Sequence, residues 1–176
     1  MSHESARAWL AEHAPELEII ESAASTATVL EAAETLGVEP GRIAKTLAVR
    51  ANGEVFLLVT RGDARLDNGK TKAAFGARPR MLGPEETLAL TGHPVGGVCP
   101  FGLATPLPVY LDRSLQDFDE VLPAAGSLNS SVRVTPARLA EIFGDRWVDI
   151  CTLPTATDGA ERPAGQDPTK DLNASA

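Results

Sequence analysis

Lys45 is the residue whose placement most needs a chemical reason. It stands in Ile43-Ala44-Lys45-Thr46-Leu47-Ala48-Val49, an apolar run that reads as a β-strand. Side chains alternate along a strand, so Lys45 shares a face with Ile43, Leu47 and Val49, and Thr46 points the other way. A lysine on the more apolar face is costly to bury unless its ammonium reaches water or a partner. One reading is a snorkelling lysine at a sheet edge; the other is an ammonium at a cleft floor, holding a carbonyl or phosphate oxygen. A second candidate is Gly96-Gly97-Val98-Cys99-Pro100-Phe101-Gly102. Small residues let a backbone approach a ligand, and successive N–H groups in such a loop can cradle an oxyanion or carboxylate. A third is the turn Ala125-Gly126-Ser127-Leu128-Asn129-Ser130-Ser131. Its Asn129 and serines offer neutral hydrogen bonds to a substrate, although turn chemistry explains them equally well.

Several chemistries are excluded or weakened. Ala64-Arg-Leu-Asp-Asn-Gly69-Lys70-Thr71 imitates a phosphate-binding loop, but its interior is not glycine-rich and the preceding apolar run stops at Thr60. His3, His13 and His93 are far apart, and no Cys or His pair has zinc-ligand spacing. There is no G-x-S-x-G nucleophile elbow. Cys99 and nearby His93 leave open a thiolate pair, though a small, buried, inert cysteine is the commoner arrangement.

These candidates need elements to hold them. We expect a helix over residues 2–13, a short strand over 17–21, and a helix from the capping-box pattern Thr28-x-x-Glu31 to Leu36, stopped by Gly37. Two β-rich runs, 43–51 and 54–60, flank Asn52-Gly53, a strong hairpin signal. A helix follows over 68–75, and another opens on Pro84 and runs to about Leu90. Residues 91–102 hold four glycines and two prolines and read as a loop. Strands are expected over 107–112, 120–124 and 130–134, a helix from Thr135-Pro136 to Phe143, and a last strand over 147–153. The fold class is therefore α/β, in the mixed α+β sense: one compact domain, residues 1–153, on a mixed sheet flanked by helices. Residues 154–176, poor in large apolar side chains, are expected to be a disordered tail.

The chain has 176 residues, 43% hydrophobic and 23% charged, a composition that excludes global disorder. No apolar run approaches the ~20 residues of a membrane span, and the N-terminus lacks the pattern of a signal peptide. Cys99 and Cys151 allow one bridge at most, and we read both as reduced thiols of a cytoplasmic protein. Net charge is −8, yet residues 41–80 carry nine lysines and arginines against three acids. Phosphate attraction depends on this local field rather than on the total.

Three segments in order resemble the YbaK-type aminoacyl-tRNA deacylases, free-standing relatives of the editing domain of bacterial prolyl-tRNA synthetases. They are Thr28-x3-Ala32-Ala33-x2-Leu36-Gly37-Val38, Ile43-Ala44-Lys45-Thr46-Leu47, and Thr91-Gly92-x3-Gly96-Gly97-Val98-Cys99-Pro100-Phe101-Gly102. The resemblance covers about residues 5–152. It implies a deacylase that hydrolyses the ester of a small mischarged amino acid on tRNA, a tRNA(Pro)-type target above all. It also implies no metal or redox cofactor, the aminoacylated tRNA 3′ end as partner, and an aminoacyl-tRNA synthetase as a further partner. The family's lysine falls on Lys45, the catalytic residue. Its G-x-x-x-P loop falls on residues 96–100, so Gly96, Gly97, Cys99, Pro100, Phe101 and Gly102 are expected to bind substrate, joined by Thr28, Asn129 and Ser130.

An aminoacyl ester is already activated, so hydrolysis requires orientation, a placed water and a stabilised oxyanion. Lys45 would hold the 3′ end and the glycine loop would wall a small pocket. Thr46, facing away, carries little weight in this reading. Two rivals stand beside it: a non-catalytic module of the same fold that binds tRNA or a synthetase, and a Cys99-dependent hydrolase.

Overall fold

The computed structural model describes residues 2–154. The C-terminal segment expected to be disordered lies, apart from Pro154, outside the described residues. Five helices are present among them: α1 (Ser2–His13), α2 (Val29–Leu36), α3 (Asn68–Phe75), α4 (Pro84–Thr91) and α5 (Pro136–Phe143). The strands are β1 (Ile19–Glu21), β2 (Ile43–Ala51), β3 (Glu54–Arg61), β4 (Arg65–Leu66), β5 (Arg80–Met81), β6 (Val109–Asp112), β7 (Leu122–Pro123), β8 (Ser130–Val132), β9 (Trp147–Val148) and β10 (Cys151–Thr152).

The β2–β3 hairpin is the spine. Asn52 and Gly53 both take positive φ, 51° and 77°, the twist a two-residue hairpin turn requires. Eight residue pairs then run from Ala51↔Glu54 to Ala44↔Arg61. β6 joins β3 in parallel and β9 joins β6 in parallel, while β5 lies antiparallel and β7 parallel to the outer edge of β2. This gives the mixed sheet with flanking helices. Ala44, Ala48, Leu57, Val59 and Leu111 face a core shared with α1 and α5. Val49, Phe56, Leu58 and Tyr110 face a second core capped by Phe75 of α3, whose ring stacks on Phe56 at 4.5 Å. A smaller cluster joins Ala32 and Ala33 of α2 to Ile43 and Leu122.

Local signals set the helix ends. Thr28 Oγ1 accepts from Glu31 N–H at 3.1 Å, Asp67 caps α3 and Thr135 caps α5. The expected capping box is only half made, because the Glu31 carboxylate accepts from Ser25 Oγ at 2.8 Å instead of turning back to Thr28. The strand expected over 147–153 splits into β9 and β10, which belong to different sheets. The cause is Asp112: buried, it accepts from Ile150 N–H at 3.0 Å and turns the chain there. Ile150 O then accepts from Asp67 N–H, carrying β10 across to β4.

The turn leaving β3 is packed to its limit. A Cβ on Gly62 would sit 2.5 Å from Pro40 O and 2.9 Å from Ile43 O, both backbone atoms. Neither can yield cheaply, so Gly62→Ala should lower unfolding free energy by about 1–3 kcal/mol. Urea titration of the two proteins checks this, and an unchanged midpoint would show that the turn gives way.

Candidate active site

The outer edge of β2 is interrupted. Ile43 and Ala44 pair with β7, and Val49 and Arg50 pair with β5. Leu82 N–H donates to Ala48 O at 3.0 Å. Among the described residues no strand covers β2 between these contacts. A cavity of about 370 Å³ opens there, walled by residues 43–48, the entry to α2, residues 95, 96 and 98 of the glycine loop, and Leu82, Leu122, Ala124 and Ser131. The wall is mostly apolar and, among the described residues, contains no carboxylate, so it suits a small neutral group. A larger groove of about 530 Å³ lies elsewhere, between Phe118, Pro136, Glu141 and Trp147. It contains none of the residues expected to do chemistry.

Lys45 is in the cavity wall, half-buried, and its ammonium donates to Ala64 O across the β3 turn. Burial pulls its pKa below the ordinary lysine value, against the opposing pull of the Cys151 thiol and Asp63. The turn is braced by Arg61, which donates to both carboxylate oxygens of Asp63 at 2.7 Å and to Asp117 at 2.8 Å. That guanidinium holds the Asp63 carboxyl below its usual range. The ammonium has three protons, so one bond to Ala64 leaves two for another acceptor.

The glycine loop divides in two. Gly96 lines the cavity, and a Cβ there would meet Leu128 Cδ2 at 2.9 Å. Gly97 packs on the Ser127 backbone, where a Cβ would lie 3.1 Å from three atoms. Cys99, Pro100, Phe101 and Gly102 are not in the cavity wall, contrary to the expectation that they bind substrate. Cys99 and Phe101 are fully buried, Phe101 beside Trp9 and Phe143. His93 Nε2 lies 2.7 Å from Phe101 O, pinning the loop from inside. A Cβ on Gly102 would lie 2.3 Å from Ser5 O, so this end is anchored against α1. These residues turn inward because an aromatic ring and an apolar thiol gain more in the core than at a cleft.

Burial pushes the Cys99 thiol up to about 12. Cys99 Sγ does lie 3.5 Å from His93 Nε2, but the pair is buried and Cys99 is not in the cavity wall, so a thiol held protonated there is poorly placed to attack a substrate in the cavity. Thr28 lines the cavity but its hydroxyl is engaged as the α2 cap. Asn129 is exposed and ties the turn to Ser22 O at 3.0 Å, while Ser130 Oγ lies 2.6 Å from Ser127 Oγ. Neither lines the cavity; Ser131, the next residue, does.

Sequence reasoning missed Thr26 and Thr87 as polar wall residues, gave Thr46 little weight, and named Ser131 only among the serines of its turn. Thr46 is the notable one. Its Oγ1 is buried and has no hydrogen-bond partner among the described residues. Its only signal in the chain is adjacency to Lys45, and alternation argued against it.

The cationic stretch is largely neutralised locally. Arg42 pairs with Asp119, Arg50 with Glu86, Arg61 with Asp63 and Asp117, and Lys70 with Asp149. Arg65, Lys72, Arg78 and Arg80 are exposed and form no ion pair among the described residues. Arg65 lies on β4, Lys72 on α3, Arg78 on the approach to β5 and Arg80 in β5, where it precedes the cavity-lining Met81. No group of three or more His, Cys, Asp or Glu converges as a metal site among the described residues. No helix there is long and apolar enough to cross a membrane.

Comparison with known proteins places this geometry among relatives. Residues 23–142 match the aminoacyl-tRNA editing domain family. The chain is 48% identical over 153 residues to the uncharacterized protein YwhH of Bacillus subtilis (strain 168), covering 86% of this chain and 98% of that one. It is 31% identical over 123 residues to the "Putative Cys-tRNA(Pro)/Cys-tRNA(Cys) deacylase EbsC" of Enterococcus faecalis, covering 68% of this chain and 74% of that one. A crystal structure of "a putative trans-editing enzyme for prolyl tRNA synthetase" superposes with a TM-score of 0.79 at 36% identity, over 86% of this chain and 97% of the other.

Both thiols are held protonated, Cys99 at about 12 and Cys151 at about 11. At pH 8 a thiol at about 12 is ionised in only about one molecule in ten thousand. The native protein should therefore react with a disulfide reagent at pH 8 far more slowly than the urea-unfolded chain, in which both cysteines titrate promptly. Rapid labelling of Cys99 in the native state would contradict its burial.

Proposed function

The chain belongs to the aminoacyl-tRNA editing domain family, and from that premise we propose that it is a trans-editing deacylase, hydrolysing the ester of a small mischarged amino acid on tRNA, with a tRNA(Pro)-type target. The observation that carries this reading is the cavity at the interrupted edge of β2, small, nearly apolar and walled by Lys45. Water adds to the ester carbonyl carbon, and the bond from that carbon to the ribose oxygen breaks. The products are the free amino acid and a ribose hydroxyl. The protein's work is to orient the ester, exclude larger side chains and hold the developing charge. Lys45 supplies the cation: its ammonium is held by Ala64 O and keeps two protons for an oxygen of the 3′ end. The glycine loop supplies a close wall at Gly96.

Arg65, Lys72, Arg78 and Arg80 form the docking face for acceptor-stem phosphates in this reading. Their position beside the turn that holds Lys45, and next to Met81, supports it. A synthetase is a further partner consistent with the family. Turnover separates this reading from that of a non-catalytic binding module: tRNA bound without hydrolysis of any substrate in a panel of mischarged tRNAs would favour the module.

Lys45→Ala should remove most deacylase activity while lowering stability by about 1 kcal/mol, the worth of one hydrogen bond. Lys45→Arg should recover little, since a forked, bulkier cation does not replace a point contact. Rate assays beside thermal unfolding check this, and full activity in the alanine variant removes the site assignment. Binding of tRNA should weaken steeply between low and physiological salt. Arg78→Glu with Arg80→Glu should flatten that slope; a slope unchanged in the double variant places the docking face elsewhere.

A further inference from the structure

Register along β2 gives Thr46 a property its neighbours lack. Leu57 N–H donates to Pro108 O, on the β6 side, so Leu58 and Thr60 present their backbone groups to β2. Their partners are Leu47 and Lys45, which makes those the hydrogen-bonded pairs of the antiparallel ladder. Thr46, opposite Val59, is a non-bonded pair whose N–H and C=O point away from β3. The Leu82 N–H bond to Ala48 O agrees, since Ala48 is two residues on and faces the same way. Ala44 is covered by β7 and Ala48 by Leu82, so the opening is one residue wide and that residue is Thr46.

We infer that the aminoacyl group docks as a one-residue strand on this edge, Thr46 N–H donating to the ester carbonyl oxygen and Thr46 C=O accepting from the α-ammonium. This rests on the deacylase reading of the cavity. A hydrogen-bonded antiparallel pair needs one donor and one acceptor on a single residue of each strand. An aminoacyl ester carries those two groups and no more of a strand. Among the described residues no carboxylate lines the cavity, so a carbonyl is the acceptor available for the cationic nitrogen. Thr46 N–H then faces the oxygen on which charge grows as water attacks. Paired residues share a face. The substrate side chain therefore lies on the Thr46 side, towards Leu82 and Ala124, and Thr46 Oγ1, buried without a partner, flanks it. The substrate class that follows is an α-amino acyl ester with a free amine, in preference to the same acyl ester without one.

The unliganded protein gives the first check: by hydrogen exchange the Thr46 amide should be less protected than those of Lys45 and Leu47. The binding test uses a stable amide probe, 3′-alanylamino-3′-deoxyadenosine, titrated into ¹⁵N-labelled protein. The Thr46 amide should move downfield, and the propionyl counterpart, lacking the amine, should bind at least about tenfold more weakly. Replacing Thr46 by its α-hydroxy acid removes that N–H. It also makes the Lys45 carbonyl, paired with Thr60 in the β2–β3 ladder, a weaker ester acceptor, so thermal unfolding is measured as well and rates are compared per folded molecule. The replacement should lower kcat/KM on a mischarged tRNA that the unaltered protein hydrolyses about tenfold or more, with tRNA affinity retained. Equal binding of the two probes, no binding of either, or shifts that bypass Thr46 would overturn the docking. If Thr46 binds the alanyl probe but no mischarged tRNA is hydrolysed, the deacylase reading fails and the docking stands. If tRNA is hydrolysed and the α-hydroxy protein is fully active, the reverse holds.

Discussion

Everything at the site follows from how β2 is paired. On its inner side the strand is zipped to β3 over eight residues, which fixes the height of every backbone group and the face of every side chain. On its outer side two short strands each cover only two residues, leaving a break between them. A continuous partner would satisfy Thr46 and close the cavity; no partner at all would leave a long edge of unpaired groups. Lys45 and Thr46 emerge on opposite faces of the strand at this break. One carries a cation tied back to Ala64 O, the other the backbone donor and acceptor that face the opening.

Much of this was legible in the chain, and the reasons are local. Asn52-Gly53 announces the hairpin because few other pairs tolerate two positive φ values in succession. Thr28, Gly37 and Thr135 mark helix ends through hydrogen bonds to residues a few places away, and Pro84 marks one through its fixed φ at the first helical position. Lys45 stands out because a charge in an apolar strand needs a partner. What was not legible depends on contacts distant in sequence. β5, two residues long, has no periodicity to detect, and although a strand was expected where β7 lies, the local pattern does not say which neighbour it pairs with; together they decide which part of β2 is free. The inward turn of Cys99 and Phe101 depends on Trp9 and Phe143, which local pattern cannot bring together. Loop composition suggested a cradle throughout residues 96–102, and only its first half reaches the cavity.

Charge shows the same dependence on tertiary partners. Nine cations within forty residues looked like one basic surface, but Asp117, Asp119 and Asp149 from later in the chain meet Arg61, Arg42 and Lys70. Arg42 and Arg61 also lie over the Phe118 ring, at 5.1 and 5.0 Å, so they brace the turn at β3 rather than offer charge to solvent. The remaining field is narrower and sits to one side of the cavity. A narrow field orients a polyanion, whereas an even one would only attract it.

The width of the break in β2 is itself a specificity device. An exposed edge of several residues accepts any extended peptide, and its affinity comes from main-chain bonds that carry no identity. An edge one residue long, bounded by β7 and by Leu82, cannot accept a peptide in register, because the next residue on either side meets an occupied position. In the docking inferred above it accepts a single amino acid, attached through its carbonyl to something that leaves the sheet at once. An amino acid esterified to a ribose has that shape. The inward anchoring of residues 99–102 then has a purpose beyond packing: it fixes the loop whose Gly96 closes the cavity, so that the space beside Thr46 keeps its size. Selection by volume is weak per methylene, about 1–3 kcal/mol. A rigid wall is therefore needed for even that much discrimination, and the loop is rigid because half of it belongs to the core.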